Sequence, residues 1–173
     1  MPDPHTAAQL WVHRYADRVF RLAYALTGER TRAEDAAQES LYHIARWVMG
    51  HPDFEPSDAW IYQVTRNAVR DLVRGLPPPT VSWDETHLGE TSEEQRVERL
   101  DVQWALNQLP TADREVLVLA YYLDLSGRDV AQVLNISETA VRIRLSRARK
   151  KFRAIFEGTP RHHLSSAALG VRR

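Results

Sequence analysis

Arg142, Ile143, Ser146 and Arg147 share one side of a stretch whose other side is apolar. Their side chains suit hydrogen bonding and contact with a base edge or a phosphate, not the making of bonds. Behind them Val141, Leu145, Ala148 and Phe152 recur at spacings of four, three and four, one stripe at helical period. The face opposite carries Thr139 and Lys150 as well, flanked by Arg144, Arg149, Lys151 and Arg153. From Ser126 to Arg153, Asp129 and Glu138 are the only acids, and Arg128 adds another cation. Cations so concentrated are the footprint of phosphate neutralisation, and an Arg near the start of a recognition helix can pair with guanine in the major groove. Most Arg-rich helices are merely solvated, but here the preceding residues favour DNA. Ser126 can cap a helix, with Asp129 three places on as a variant capping box. Val130, Ala131, Val133 and Leu134 give that helix an apolar face. Asn135 tolerates the left-handed conformation of a sharp turn, and Ser137 can cap the next helix. The stretch reads as a helix-turn-helix whose second helix lies on DNA.

Two other groups of residues could bind a partner. Asp35, Gln38 and Glu39 gather within one helical turn, opposite a stripe of Ala33, Ala37, Leu41, Ile44, Ala45 and Val48. Such a cluster is most often solvated surface; the functional reading is a docking patch for a basic partner. Tyr62, Gln63, Arg66, Asn67 and Arg70 share the polar side of a later helix. Aromatic, amide and Arg side chains near a loop are the types that hold unstacked bases, though they are commonplace on any helix.

Nothing in the chain suggests catalysis. It has no cysteine, so no disulfide, thiol nucleophile or Cys-based zinc site is possible. It has no glycine-rich phosphate loop and no His pair at metal spacing on a helix. No cofactor, metal ligand or catalytic residue is predicted. Its 173 residues are 43% hydrophobic and 27% charged, ordinary for a globular chain of one or two small domains. No apolar run approaches the about 18 residues a membrane span needs, and MPDPHTAAQL lacks the order of a secretory signal. The expectation is a cytoplasmic protein without membrane insertion. A formal net charge of zero conceals an asymmetry, because Asp84–Asp101 holds only Arg96 and Arg99 among its many acids.

The elements that must position these residues are all helical by period. The first runs from about Thr6 to Leu26, with Leu10, Trp11, Tyr15, Val19, Leu22, Ala23 and Leu26 inward and Thr27-Gly28 as its stop. Thr31 with Glu34 forms a capping box for the second. Residues 50–56 are a loop by their breakers. Ser57 caps a third helix, whose inward residues are read as Trp60, Ile61, Val64, Ala68, Leu72 and Val73. Gly75 and Pro77-Pro78-Pro79 end it and hold the chain extended. Leu76–Ser92 reads as an acidic linker, with Trp83 as an anchor. Helical pattern returns near Glu93, Pro110 ends that helix, and Thr111 caps a single apolar helix to Leu125. The predicted fold is all-α, two small helical domains at 6–75 and 93–157 joined by an extended linker at 76–92. A disordered tail is expected at 158–173, its His162-His163 pair solvated.

Taken in order, these pieces resemble the extracytoplasmic-function type of bacterial RNA polymerase sigma factor, within the sigma-70 family. AEDAAQES is similar to the D-x-x-Q-E stretch of region 2, and WIYQVTRNAVRDLVR to its region 2.3–2.4 helix. LNQLPTADREVLVLAYYLDLSGRDVAQVLNISETAVRIRLSRARKKF is similar to region 4. The resemblance implies a promoter-specificity subunit that binds core polymerase at the clamp helices of the largest subunit, through Asp35, Gln38 and Glu39, and at the flap region. It implies −10 element binding by Tyr62, Arg66 and Asn67, with Asn67 in the pocket for a flipped non-template base and residues 50–57 beside it. Arg142, Ile143, Ser146 and Arg147 would read the −35 element in double-stranded promoter DNA, with Thr139, Arg149 and Lys150 on its backbone. An anti-sigma factor is a further implied partner. Ala36-Ala37 stand where the family has bulkier aliphatics, Ile143 where it often has a small polar residue, and the arginine run after the third helix stops at Arg74. A polymerase-independent helix-turn-helix regulator is the alternative; it would leave the first half of the chain without work.

Overall fold

Tyr15, Val19, Leu22, Ala23 and Leu26 fall on one side of α1 (Pro4–Thr27), and all are buried. The computed structural model of the protein describes residues 4–76 and 93–158, so the stretch around Trp83 and the tail from 159 onward lie outside it. Leu10, expected on the same stripe, is 62% exposed, and Ala8 is buried in its place. Two residues rotate a helix by about 200°, so only one of the pair can face inward. Gly28 ends α1 with φ +68°, and its N–H donates to the Tyr24 carbonyl at 2.8 Å. That left-handed stop suits glycine.

The start of α2 (Arg30–Gly50) departs from the capping-box expectation. Glu29 holds the N-cap position without a side-chain capping bond, Thr31 is already helical, and Glu34 accepts from Arg30 at 2.6 Å instead. Only Gly28 and Glu29 separate the two helices, so the chain must re-enter a helix before it reaches Thr31. Ser57 does cap α3 (Asp58–Val73), accepting from the Trp60 N–H at 3.2 Å. The buried residues of α3 are Ala59, Ile61, Tyr62, Thr65, Arg66 and Val69. Trp60, Val64 and Ala68 are only half-buried. The buried stripe is therefore turned from the one read in the sequence, because α3 is covered by α1 and α2 on one side and by the second half of the chain on another.

That second half comprises α4 (Glu93–Gln108), α5 (Thr111–Leu117), α6 (Gly127–Leu134) and α7 (Glu138–Gly158). Pro110, not Thr111, holds the N-cap position of α5, and its carbonyl accepts from the N–H groups of Asp113 and Arg114. The single helix expected beyond Thr111 passes at Val118 into a π turn, Val118–Tyr122, and the Leu123 N–H donates back five residues to the Val118 carbonyl at 3.1 Å. The wider turn accommodates an extra residue, and Asp124, at φ 52°, breaks the helix after it.

Seven α-helices and no strand are found among the described residues. One continuous apolar core includes Leu22, Ile44 and Ile61 from the first half and Leu119, Val130 and Val141 from the second. Arg114 ties the halves at their edge. Its guanidinium donates to the Leu106, Asn107 and Leu109 carbonyls around the end of α4 and to the Leu26 carbonyl of α1. Burial lowers its pKa from the ordinary value, but guanidinium does not lose its proton in proteins. Across the same seam Gly28 packs against Asn107, where a Cβ would lie 2.6 Å from the amide nitrogen.

Candidate nucleic-acid interface

The turn between α6 and α7 is built as its residue types predict. Ser126 Oγ accepts from the Asp129 N–H at 3.1 Å and donates to the Asp129 carboxylate at 2.6 Å. Asn135 sits at φ 54°, ψ 49°, a left-handed position that Asn tolerates better than most residues. Ser137 Oγ accepts from the Ala140 N–H at 3.1 Å and so starts α7. The α7 stripe of Val141 and Ala148 is buried, with Leu145 and Phe152 packed against the core. Thr139, Arg142, Ile143, Ser146, Arg147, Arg149 and Lys150 are all exposed. Ile143, at 49% exposure, is an apolar side chain offered to solvent in the middle of that face. Arg142 donates to Thr139 Oγ1 at 3.3 Å, a bond within the face itself. Lys151 is committed elsewhere: it pairs with Asp113 at 2.6 Å and pins α7 to α5. The result is a rigid helix with a cationic outer face that can hydrogen-bond phosphates and base edges.

Asp35, Gln38 and Glu39 are likewise exposed together on α2, with His43 within 2.9 Å of Glu39. They form one wall of a groove of about 1000 Å³ between α2 and α3, which Asn67, Trp60 and Asp71 line from the other side. At the far end of α2, Trp47 stacks on His51 at 4.0 Å between centroids, and Phe54 meets both Trp47 and Trp60 edge-on. This aromatic cluster anchors the loop between α2 and α3. At the N-terminus of α3, Asp58 accepts from the Tyr15 hydroxyl and from Arg18. Burial first, then Asp58, pushes the Tyr15 pKa up to about 12.

The three α3 residues expected to act together are not equally available. Asn67 is exposed, whereas Tyr62 and Arg66 are 5% and 9% exposed; Tyr62 lies beside Arg18, Arg21 and Asp58 of the first half, and Arg66 meets Glu115 of the second. Arg66 Nε donates to Glu115 Oε2 at 2.9 Å, and Arg70 Nε donates to Glu115 Oε1 at 2.8 Å. Glu115, at 1% exposure, went unnoticed in the sequence. An acid directly before the apolar run Val116, Leu117 and Val118 was its only signal, since period alone does not tell a paired carboxylate from a solvated one. Among the described residues no cluster of acids and histidines could hold a metal ion, and no helix is long and apolar enough to cross a membrane.

Family models for Sigma-70 region 2 and Sigma-70 region 4 match residues 11–76 and 99–152 respectively. The ECF RNA polymerase sigma factor SigL of Mycobacterium tuberculosis is 35% identical over 162 residues, covering 87% of this chain and 84% of that protein. The ECF sigma factor SigE of Mycolicibacterium smegmatis is 32% identical over 156 residues, 82% of this chain; the match spans 58% of that longer relative. In structure, the sigma factor RpoE of Bartonella quintana, solved with the anti-sigma factor NepR, superposes with a TM-score of 0.68 over 88% of this chain and 98% of that one. At 20% identity that likeness speaks to the fold.

Proposed function

The chain belongs to the ECF RNA polymerase sigma factors of the sigma-70 family, and on that premise we propose that it is a promoter-specificity subunit, directing RNA polymerase to −35 and −10 elements. The observation that carries this reading is the presence of region 2 and region 4, in that order, in one chain. A polymerase-independent regulator would leave region 2 and its exposed acidic patch without a role.

In the proposed mechanism Asp35, Gln38 and Glu39 dock on the clamp helices of the polymerase largest subunit, and the second half docks on the flap region. Residues 6–75 serve −10 recognition and melting, 93–157 serve −35 recognition, and 76–92 are the linker. Arg142, Ile143, Ser146 and Arg147 enter the major groove of the −35 element while Thr139, Arg149 and Lys150 fix the register on phosphates. Opening the −10 element costs a few kcal/mol per extruded base. Asn67 and the loop 50–57 offset part of that cost by holding a flipped non-template base. The protein itself makes no bond; it places the polymerase's chemistry. RpoE, solved with an anti-sigma factor, supports an anti-sigma partner as a proposal here too, and the protein would act in the cytoplasm, on the nucleoid.

Run-off transcription with purified core polymerase and a library of promoters randomised at −35 and −10 tests the reading. Defined transcripts that require this protein are expected. Sequence-specific duplex binding by the free chain, with no transcript from the core of its own species, would overturn it in favour of an ordinary regulator.

A further inference from the structure

Arg66 and Arg70 lie one turn apart on α3 and converge on a single carboxylate, each donating its Nε–H to a different oxygen of Glu115. Two guanidinium groups spaced this way form an oxyanion site, and charge-assisted bonds of this kind take phosphate oxygens as readily as carboxylate. Glu115 reaches the site from α5, across the seam between the two halves. Its side chain is 2% exposed, that of Arg66 11% and that of Arg70 43%. We propose that Arg66 and Arg70 are a phosphate clamp for the backbone of the unpaired −10 strand, and that Glu115 occupies this clamp as an internal mimic while the halves are closed.

Three observations bear on this, and the inference rests on the reading of α3 as the −10 face. Of the two arginines that Glu115 holds, Arg70 lies one turn beyond Asn67 on α3, three residues on and so its neighbour on the helix surface, and its side chain is 43% exposed. Tyr62, one turn before Arg66 on the same helix, is buried as well. Third, a buried ion triad contributes little net stability, because the desolvation of its charges offsets their attraction. Parting the halves returns all three groups to water, and DNA then offers the arginines a replacement anion. The apolar core shared by the halves holds them together, whereas the triad decides which anion the arginines meet. Removing Glu115 alone leaves Arg66 unpaired at the seam and favours parting.

The chain has no cysteine, so Asp53→Cys and Glu157→Cys, both at exposed positions, place one dye in each half for energy transfer. Binding of a twelve-thymidine single-stranded oligonucleotide to the free full-length chain is measured alongside, with helical content checked by circular dichroism. Glu115→Gln is expected to lower the transfer efficiency. If the open form of the wild type is about one-tenth populated, affinity for the oligonucleotide rises about tenfold. Both proteins reach the same bound complex, in which two clamped phosphates supply about 1.4 of the slope of log affinity against log salt, about 0.7 each on a single strand. Adding Arg70→Ala to Glu115→Gln should make that slope shallower by about 0.7 while the halves stay apart.

Asn107→Trp, a wedge at the Gly28 contact, opens the seam without touching the clamp and should give the same gain if Glu115→Gln fails to fold. Parted halves with unchanged affinity, or a salt slope that Arg70→Ala leaves unchanged, would overturn the clamp, and unchanged transfer efficiency in both variants would overturn Glu115 as the latch. Wild-type run-off transcription separates this from the broader reading. Transcripts without a clamp effect remove only the inference; a clamp effect without transcripts leaves a single-strand clamp and removes the promoter assignment, its −10 target included.

Discussion

Ile143 and Arg147 stand one turn apart on the outer face of α7, and both are exposed. A guanidinium there can make a bidentate pair with guanine, so Arg147→Ala should cost about 1–3 kcal/mol of −35 discrimination. The check is a comparison of duplexes with the preferred and base-substituted −35 sequence. Equal loss on every sequence would reduce Arg147 to a phosphate contact. Tyr15 makes a second prediction at this scale. Its pKa is raised to about 12, above the ordinary 10.0, because the hydroxyl is buried against Asp58. The folded chain therefore favours the neutral phenol. The stability this contributes is fully present below pH 10 and is lost as pH rises toward 12. A spectrophotometric titration should show Tyr15 among the late phenols, beside Tyr62, which burial also raises; Tyr15→Phe should remove one of them, and the variant should lose less stability across that window than the wild type.

The turn between α6 and α7 decides how the recognition helix is presented. Asn135 holds a left-handed conformation that costs a residue with an ordinary side chain about 1–2 kcal/mol. Asn135→Ala should lower the unfolding free energy by about that amount, and Asn135→Gly should leave it nearly unchanged. Urea titration measures both, and equal losses in the two variants would show that the Asn amide, not the backbone, matters. This turn was legible because each of its residues acts locally: Ser126 and Ser137 cap within three residues of themselves. The π turn at Val118–Tyr122 was not legible. Its apolar run fits an α-helix equally well, and only packing onto α1 and α6 accompanies the wider turn.

In the whole molecule, the α2 patch and the α7 face are separate exposed surfaces, so polymerase docking and duplex binding should be separable. Asp35→Ala with Glu39→Ala should weaken binding to core polymerase, while the free full-length variant keeps its wild-type affinity for −35 duplex. Titration of labelled protein against core measures the first, and unchanged core affinity would count against α2 as the docking surface. A common loss of both affinities would instead point to a shared structural defect.

The sequence by itself determined the helical fold, the caps at Ser57, Ser126 and Ser137, and the exposed face of α7. Each depends on period or on neighbours a few residues away, and such interactions are written in the order of the chain. It also marked Asp35, Gln38, Glu39 and Asn67, which remain exposed in the folded protein. Tertiary structure alone decided which polar residues of α3 would be covered. Tyr62, Arg66 and Asn67 look alike in an amphipathic pattern, yet Arg66 meets Glu115 from 49 residues away and Asn67 meets solvent. The reason is that helix period specifies one inward stripe, whereas α3 is covered from two directions. Where the second cover falls depends on how the halves pack, and no local spacing encodes that.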